Sequence, residues 1–101
     1  MLTEDRLKRK CVAWIKKNML SSKFWFYCPT DRFYSGIPDI IFCANGKFGV
    51  VELKALKGKV SAIQEYTLIK INQCGGRSAV CRTIEEFKGF VTSFFLKQKG
   101  E

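Results

Sequence analysis

Gly36-Ile37-Pro38-Asp39-Ile40-Ile41-Phe42-Cys43-Ala44-Asn45-Gly46-Lys47-Phe48-Gly49-Val50-Val51-Glu52-Leu53-Lys54 is the stretch on which the reading of the whole chain depends. Two β-rich apolar runs, residues 37–43 and 48–53, flank Asn45-Gly46. That dipeptide is a strong hairpin signal, because a type I′ turn needs positive φ at both central residues. The turn also sets the register. With Asn45 and Gly46 as the loop, counting outward puts Asp39 directly opposite Glu52. Opposed residues of an antiparallel pair share a face, and Lys54 joins that face two residues on. A four-residue loop over 44–47 keeps this pairing, whereas a three-residue loop sends the two acids to opposite faces.

Like charges directly opposite one another destabilise a sheet. Asp39 and Glu52 therefore need a cation, a shared proton or Lys54 to offset them. A hard divalent ion suits such a site, since Mg²⁺ takes one or two carboxylates and completes its shell with water and phosphate oxygens. On the hairpin alone, an equally good reading has Asp39 opening a strand while Glu52 and Lys54 form a surface ion pair.

The chain of 101 residues is read as one domain, 1–101, with enough apolar content (47%) for a core. Lys and Arg number 18 against 9 acidic residues, a net charge of +9. That excess favours a polyanionic partner, nucleic acid first. The charged N-terminus carries no secretory signal and no run approaches a membrane span, so a cytoplasmic protein with no membrane partner is expected. Cysteines 11, 28, 43, 74 and 81 contain no C-x-x-C pair and read as small buried hydrophobes in a reducing compartment. Histidine is absent. Imidazole catalysis and His-ligated metals are thereby excluded, leaving carboxylates, lysine and a metal for any hydrolysis.

Outward from the hairpin, Thr3 caps a helix to about residue 20, with an inner stripe of Leu7, Cys11, Trp14 and Ile15. Glu4 extends that stripe: a dipole-complementing acid, or a third acidic group near the site. Residues 23–28 read as an aromatic strand belonging to the core. The polar loop 30–36 could bring Arg32 and Tyr34 to a phosphate or an unstacked base. After the hairpin, Lys57 and Lys59 lie in a basic loop suited to backbone phosphates. A helix from 60 or 61 to 73 carries Val60, Ile63, Leu68 and Ile71, with Gln64 as an inward amide that needs partners. Gly75-Gly76 ends it. A short strand over 77–82 precedes a last helix from Thr83, whose apolar face (Ile84, Phe87, Phe90, Val91, Phe94, Phe95) is wide enough to seal a homodimer. The order α-β-β-β-α-β-α gives an α/β (α+β) fold: a small mixed sheet flanked by helices.

At Gly36-Ile-Pro-Asp39 followed by Glu52-Leu-Lys54, the spacing resembles the restriction-endonuclease-like core of PD-(D/E)XK nucleases. With Ser61-Ala-Ile-Gln64 downstream it resembles, more narrowly, the VRR-NUC branch in its stand-alone form. The resemblance runs from Glu4 to about Phe87, although Ala79-Val80-Cys81-Arg82 stands where the branch has its V-R-R. It implies that Asp39, Glu52 and the Leu53 carbonyl ligate Mg²⁺ or Mn²⁺, with Glu4 acting through water. It also implies that Lys54 orients or helps deprotonate the attacking water, supported by Gln64. The implied activity is metal-dependent phosphodiester hydrolysis in DNA. A homodimeric resolvase of four-way (Holliday) junctions, in recombination or repair within a bacterial or phage-infected cell, is the first expectation. A flap or non-specific DNA nuclease is the second, and a non-catalytic nucleic-acid binder on the same basic surface the third.

Overall fold

The computed structural model describes residues 2–30 and 34–96. Its elements, in chain order, are α1 (Glu4–Asn18), β1 (Phe24–Tyr27), β2 (Ile40–Ala44), β3 (Lys47–Leu53), α2 (Ala62–Gln73), β4 (Arg77–Cys81) and α3 (Ile84–Ser93). Asn45 (φ 53°) and Gly46 (φ 81°) are both left-handed, as the type I′ turn requires. The β2–β3 ladder runs from Ala44↔Lys47 to Ile40↔Val51, so Asp39 and Glu52 face one another one step beyond it. The expected strand from residue 37 starts instead at Ile40. Gly36 turns the chain at φ 80°, and Pro38 has no N–H to give a ladder.

The sheet order is β1-β2-β3-β4. The first three strands form an antiparallel meander, and β4 lies parallel to β3 after the α2 crossover. Alternation then sorts side chains onto two faces. One face buries Ile40, Phe42, Ala44, Val51 and Leu53 against α1 (Leu7, Cys11, Ile15) and α3 (Phe87, Val91, Phe94). Phe42 centres this layer, its ring 5.3 Å from Phe24 and 5.0 Å from Phe94. Opposite Phe42 only glycine fits, since a Cβ on Gly49 would stand 2.5 Å from the Phe42 ring and 2.6 Å from that of Phe94. α2 packs on β4, across the other face.

Four expectations are corrected. The apolar face of α3 is largely taken up within the fold: Phe87, Val91 and Phe94 are buried, and Ile84, Phe90 and Phe95 pack, partly buried, against the same core of sheet and α1. Along α2, Ile63 is 51% exposed, since the inner stripe runs through Gln64, Leu68 and Ile71 and leaves residue 63 at its edge. Only Cys11 and Cys81 are buried cysteines; burial pushes both thiols up to about 12, while Cys43 and Cys74 are exposed. The aromatic strand is likewise divided. Phe24 and Phe26 join the core, but Trp25 (61% exposed) and Tyr27 (51%) project from the other face.

Candidate active site

The chain's one buried charged group, among the described residues, is Glu52, only 4% exposed. It sits on β3 where α2 crosses that face. Gln64 meets it there, its Nε2 donating to Glu52 Oε1 at 3.2 Å. The other end of the same amide caps its own helix: Ser61 N–H donates to Gln64 Oε1 (2.9 Å), and Gln64 N–H donates to Ser61 Oγ (3.2 Å). This is a reciprocal capping box. One residue thus fixes the start of α2 and the rotamer of Glu52. The S-x-x-Q spacing was legible in the sequence, but as a cap it went unread.

Asp39 lies across from Glu52 and is partly buried. Its Oδ2 accepts the Leu53 N–H at 2.8 Å, prolonging the ladder with a side chain where the backbone pairing stops. Gly36 makes that placement possible. Its positive φ goes with a close backbone approach to α2, where a Cβ would stand 2.8 Å from the Ile63 carbonyl oxygen. Burial, then the neighbouring Asp39 carboxylate, push Glu52 up to about 8; Lys54 lowers it and Glu4 raises it. Glu52 Oε2 is buried without a hydrogen-bond partner.

That orphaned oxygen, beside a second carboxylate and close to a lysine, fits a hard divalent cation: the donor set is all oxygen. Among the described residues no group of three or more Asp, Glu, Cys or His side chains gathers closely enough to hold a metal ion. The carboxylate pair would need backbone oxygen and water to complete a shell, as Mg²⁺ commonly does. Glu4 stands further out, exposed at the start of α1. Its Oε1 lies 3.4 Å from where a Cβ on Gly58 would be, and its charge still reaches Glu52.

The basic loop after β3 is held from beneath. Arg82 Nη1 donates to the carbonyls of Ala55 (2.8 Å), Leu56 (3.3 Å) and Gly58 (2.6 Å). Lys57 and Lys59 are exposed on this loop, whereas Arg32 lies outside the described residues. Nothing in the sequence marked Arg82 as the anchor, since its partners are backbone oxygens more than twenty residues away. A second basic feature is a groove of about 630 Å³ lined by Asp5, Lys8, Arg9, Val12, Lys16 and Cys28. Burial pushes the Cys28 thiol up, with Lys8 and Lys16 opposing the shift and Asp39 adding to it.

A mixed sheet whose central hairpin carries D…E-x-K, closed by a crossover helix and a parallel strand, is the core of the PD-(D/E)XK class of nucleases. The sequence model of the VRR-NUC domain matches residues 29–84, and the chain belongs to that family of nuclease domains. A solved structure described as a VRR_NUC domain superposes with a TM-score of 0.71 at 15% identity, covering 91% of this chain and 97% of that one. At that identity the likeness concerns the fold. No curated protein matches.

Proposed function

We propose that the chain is a divalent-metal-dependent endonuclease that hydrolyses phosphodiesters in branched DNA, with a four-way junction cut by a homodimer as its first substrate. The observation that carries this reading is the buried Glu52, its Oε2 unpartnered, held opposite part-buried Asp39. Asp39, Glu52 and the Leu53 carbonyl would hold Mg²⁺ or Mn²⁺, with Glu4 reaching it through water. When bound, such an ion acidifies water and neutralises charge on phosphoryl oxygens. Lys54 orients the attacking water and, as an ammonium, offsets charge growing on the phosphoryl group. Gln64 holds Glu52 so that its second oxygen faces the site.

Arg82 fixes the loop from which Lys57 and Lys59 meet backbone phosphates. Arg32 is assigned to the same substrate strand. Lys8, Arg9 and Lys16 continue the cationic track along α1. An exposed stripe on α2 (Ile63, Tyr66 and Ile69) supports the two-fold contact of a homodimer. No helix of the described residues is long and apolar enough to cross a membrane, and a cytoplasmic location in a bacterial or phage-infected cell accords with a DNA substrate. A flap nuclease is the second reading, favoured by the exposed aromatics Trp25 and Tyr27 on the sheet face that bears the acids.

Labelled four-way junction, flap and plain duplex, each incubated with protein and Mg²⁺, test these readings together with sizing in solution. Symmetric incision of the junction by a dimer is expected, with none from Asp39→Ala. Equal cutting by Asp39→Ala, or binding without cutting under any divalent metal, would remove the catalytic assignment.

A further inference from the structure

We infer that Trp25 and Tyr27 form a stacking platform for unpaired DNA bases leading away from the scissile phosphate; this rests on the nuclease reading and adds a substrate feature to it. The register locates the platform. Tyr27 lies beside Ile41 and Trp25 beside Cys43. Residues 39, 41 and 43 alternate onto one face, so Tyr27 stands one two-residue step, about 7 Å, along the sheet from Asp39, and Trp25 two steps. Lys23 immediately precedes the strand.

Nothing in the fold requires aromatic rings there. The core is already supplied from this strand by Phe24 and Phe26, which point the other way. α2 packs on β4, at the far side of the sheet from β1. The two rings are more than half exposed, within 13° of parallel and 6.4 Å apart. Near-parallel exposed rings in a row offer π-faces to successive bases, the arrangement by which sheets bind single strands without reading sequence. Charge agrees with this occupant. Lys23 immediately precedes the row in sequence, on a chain of net charge +9. A duplex hides its base faces, so the platform serves only DNA whose bases are unpaired beside the cut: a flap, or the opened branch point of a junction.

The test is binding by the full chain in EDTA at one fixed salt, so that cleavage does not enter. The probes are a flap with 2-aminopurine in its unpaired arm and a fully paired duplex of the same length. Quenching of 2-aminopurine is expected with wild type. Trp25→Ala and Tyr27→Ala should each weaken flap binding by about tenfold while duplex affinity stays. Trp25→Phe and Tyr27→Phe, which keep a ring, should restore most of the loss, and circular dichroism checks that each variant is folded. Equal losses on flap and duplex, no loss on either, or conversion of a dimer to monomer by Trp25→Ala would overturn the platform; the last would assign the face to a second copy of the chain. Should the flap be bound in this way while neither flap nor four-way junction is cut with Mg²⁺, the platform would stand and the endonuclease reading would fall.

Discussion

The two faces of one sheet are put to opposite uses. Toward α1 and α3 the strands bury Ile40, Phe42, Ala44, Val51 and Leu53, with Phe42 touching rings from β1 and α3 and a glycine opposite it because no Cβ fits. Toward α2 the same strands carry Asp39, Glu52 and Lys54 at one end and exposed Trp25 and Tyr27 along one edge. A dry layer tolerates loss of volume poorly but has no unmet charge. The α2 face keeps a buried carboxyl whose second oxygen lacks a donor. The contrast teaches that stability is concentrated on one side of the hairpin so that an electrostatically unfavourable pair can be held on the other.

Substitutions separate the two faces. The largest effect on function is expected at the acids: Asp39→Asn or Glu52→Gln should bring DNA cutting to background in a gel assay. Glu52→Gln should nevertheless raise the melting temperature of the metal-free protein at alkaline pH, as no core substitution would. Phe42→Ala should do the reverse, costing about 3–5 kcal/mol in denaturant unfolding because the cavity opens where rings converge. Arg82→Ala should cost about 2–3 kcal/mol, through the bonds that hold residues 55–58, and loosen the basic loop. Hydrogen exchange at the amides of that loop would report it.

A smaller effect follows from the carboxyl held near 8. The folded protein keeps a proton that the unfolded chain releases near 4.5. Without divalent metal, this group's stability contribution is therefore most favourable below that lower value and declines as pH rises toward about 8. Melts in EDTA should fall across this window, and Mg²⁺ should reverse the trend because the ion binds the ionised form. Smallest of all, each of Lys8→Ala and Lys16→Ala should flatten the dependence of log affinity on log salt by about one, without changing substrate preference.

Much of this arrangement was legible because it is local. Asn45-Gly46 sets the turn, the turn sets the register, and the register brings Asp39 to Glu52; all three depend on adjacent residues and a period of two. Thr3 and Thr83 announced their helices for the same reason. What was illegible depends on tertiary partners. Whether Trp25 or Phe24 faces the core is decided by where α1 and α3 lie, and alternation alone leaves the two assignments equal. The exposure of Ile63 reflects the line along which α2 meets β4. Arg82 finds carbonyls of a loop distant in sequence, and side-chain-to-backbone bonds of that kind leave no trace in spacing. The wide apolar face of α3 suggested a partner because the count of rings was visible, and the area of sheet that covers them was not.

Calorimetric titration of the metal-free protein with Mn²⁺ at pH about 8 tests the central claim most directly. Wild type should bind the ion with release of protons, and Asp39→Asn and Glu52→Gln should each abolish that binding while remaining folded. Absence of binding by wild type, or undiminished binding by both variants, would contradict the claim that the hairpin holds these two acids as a cation site.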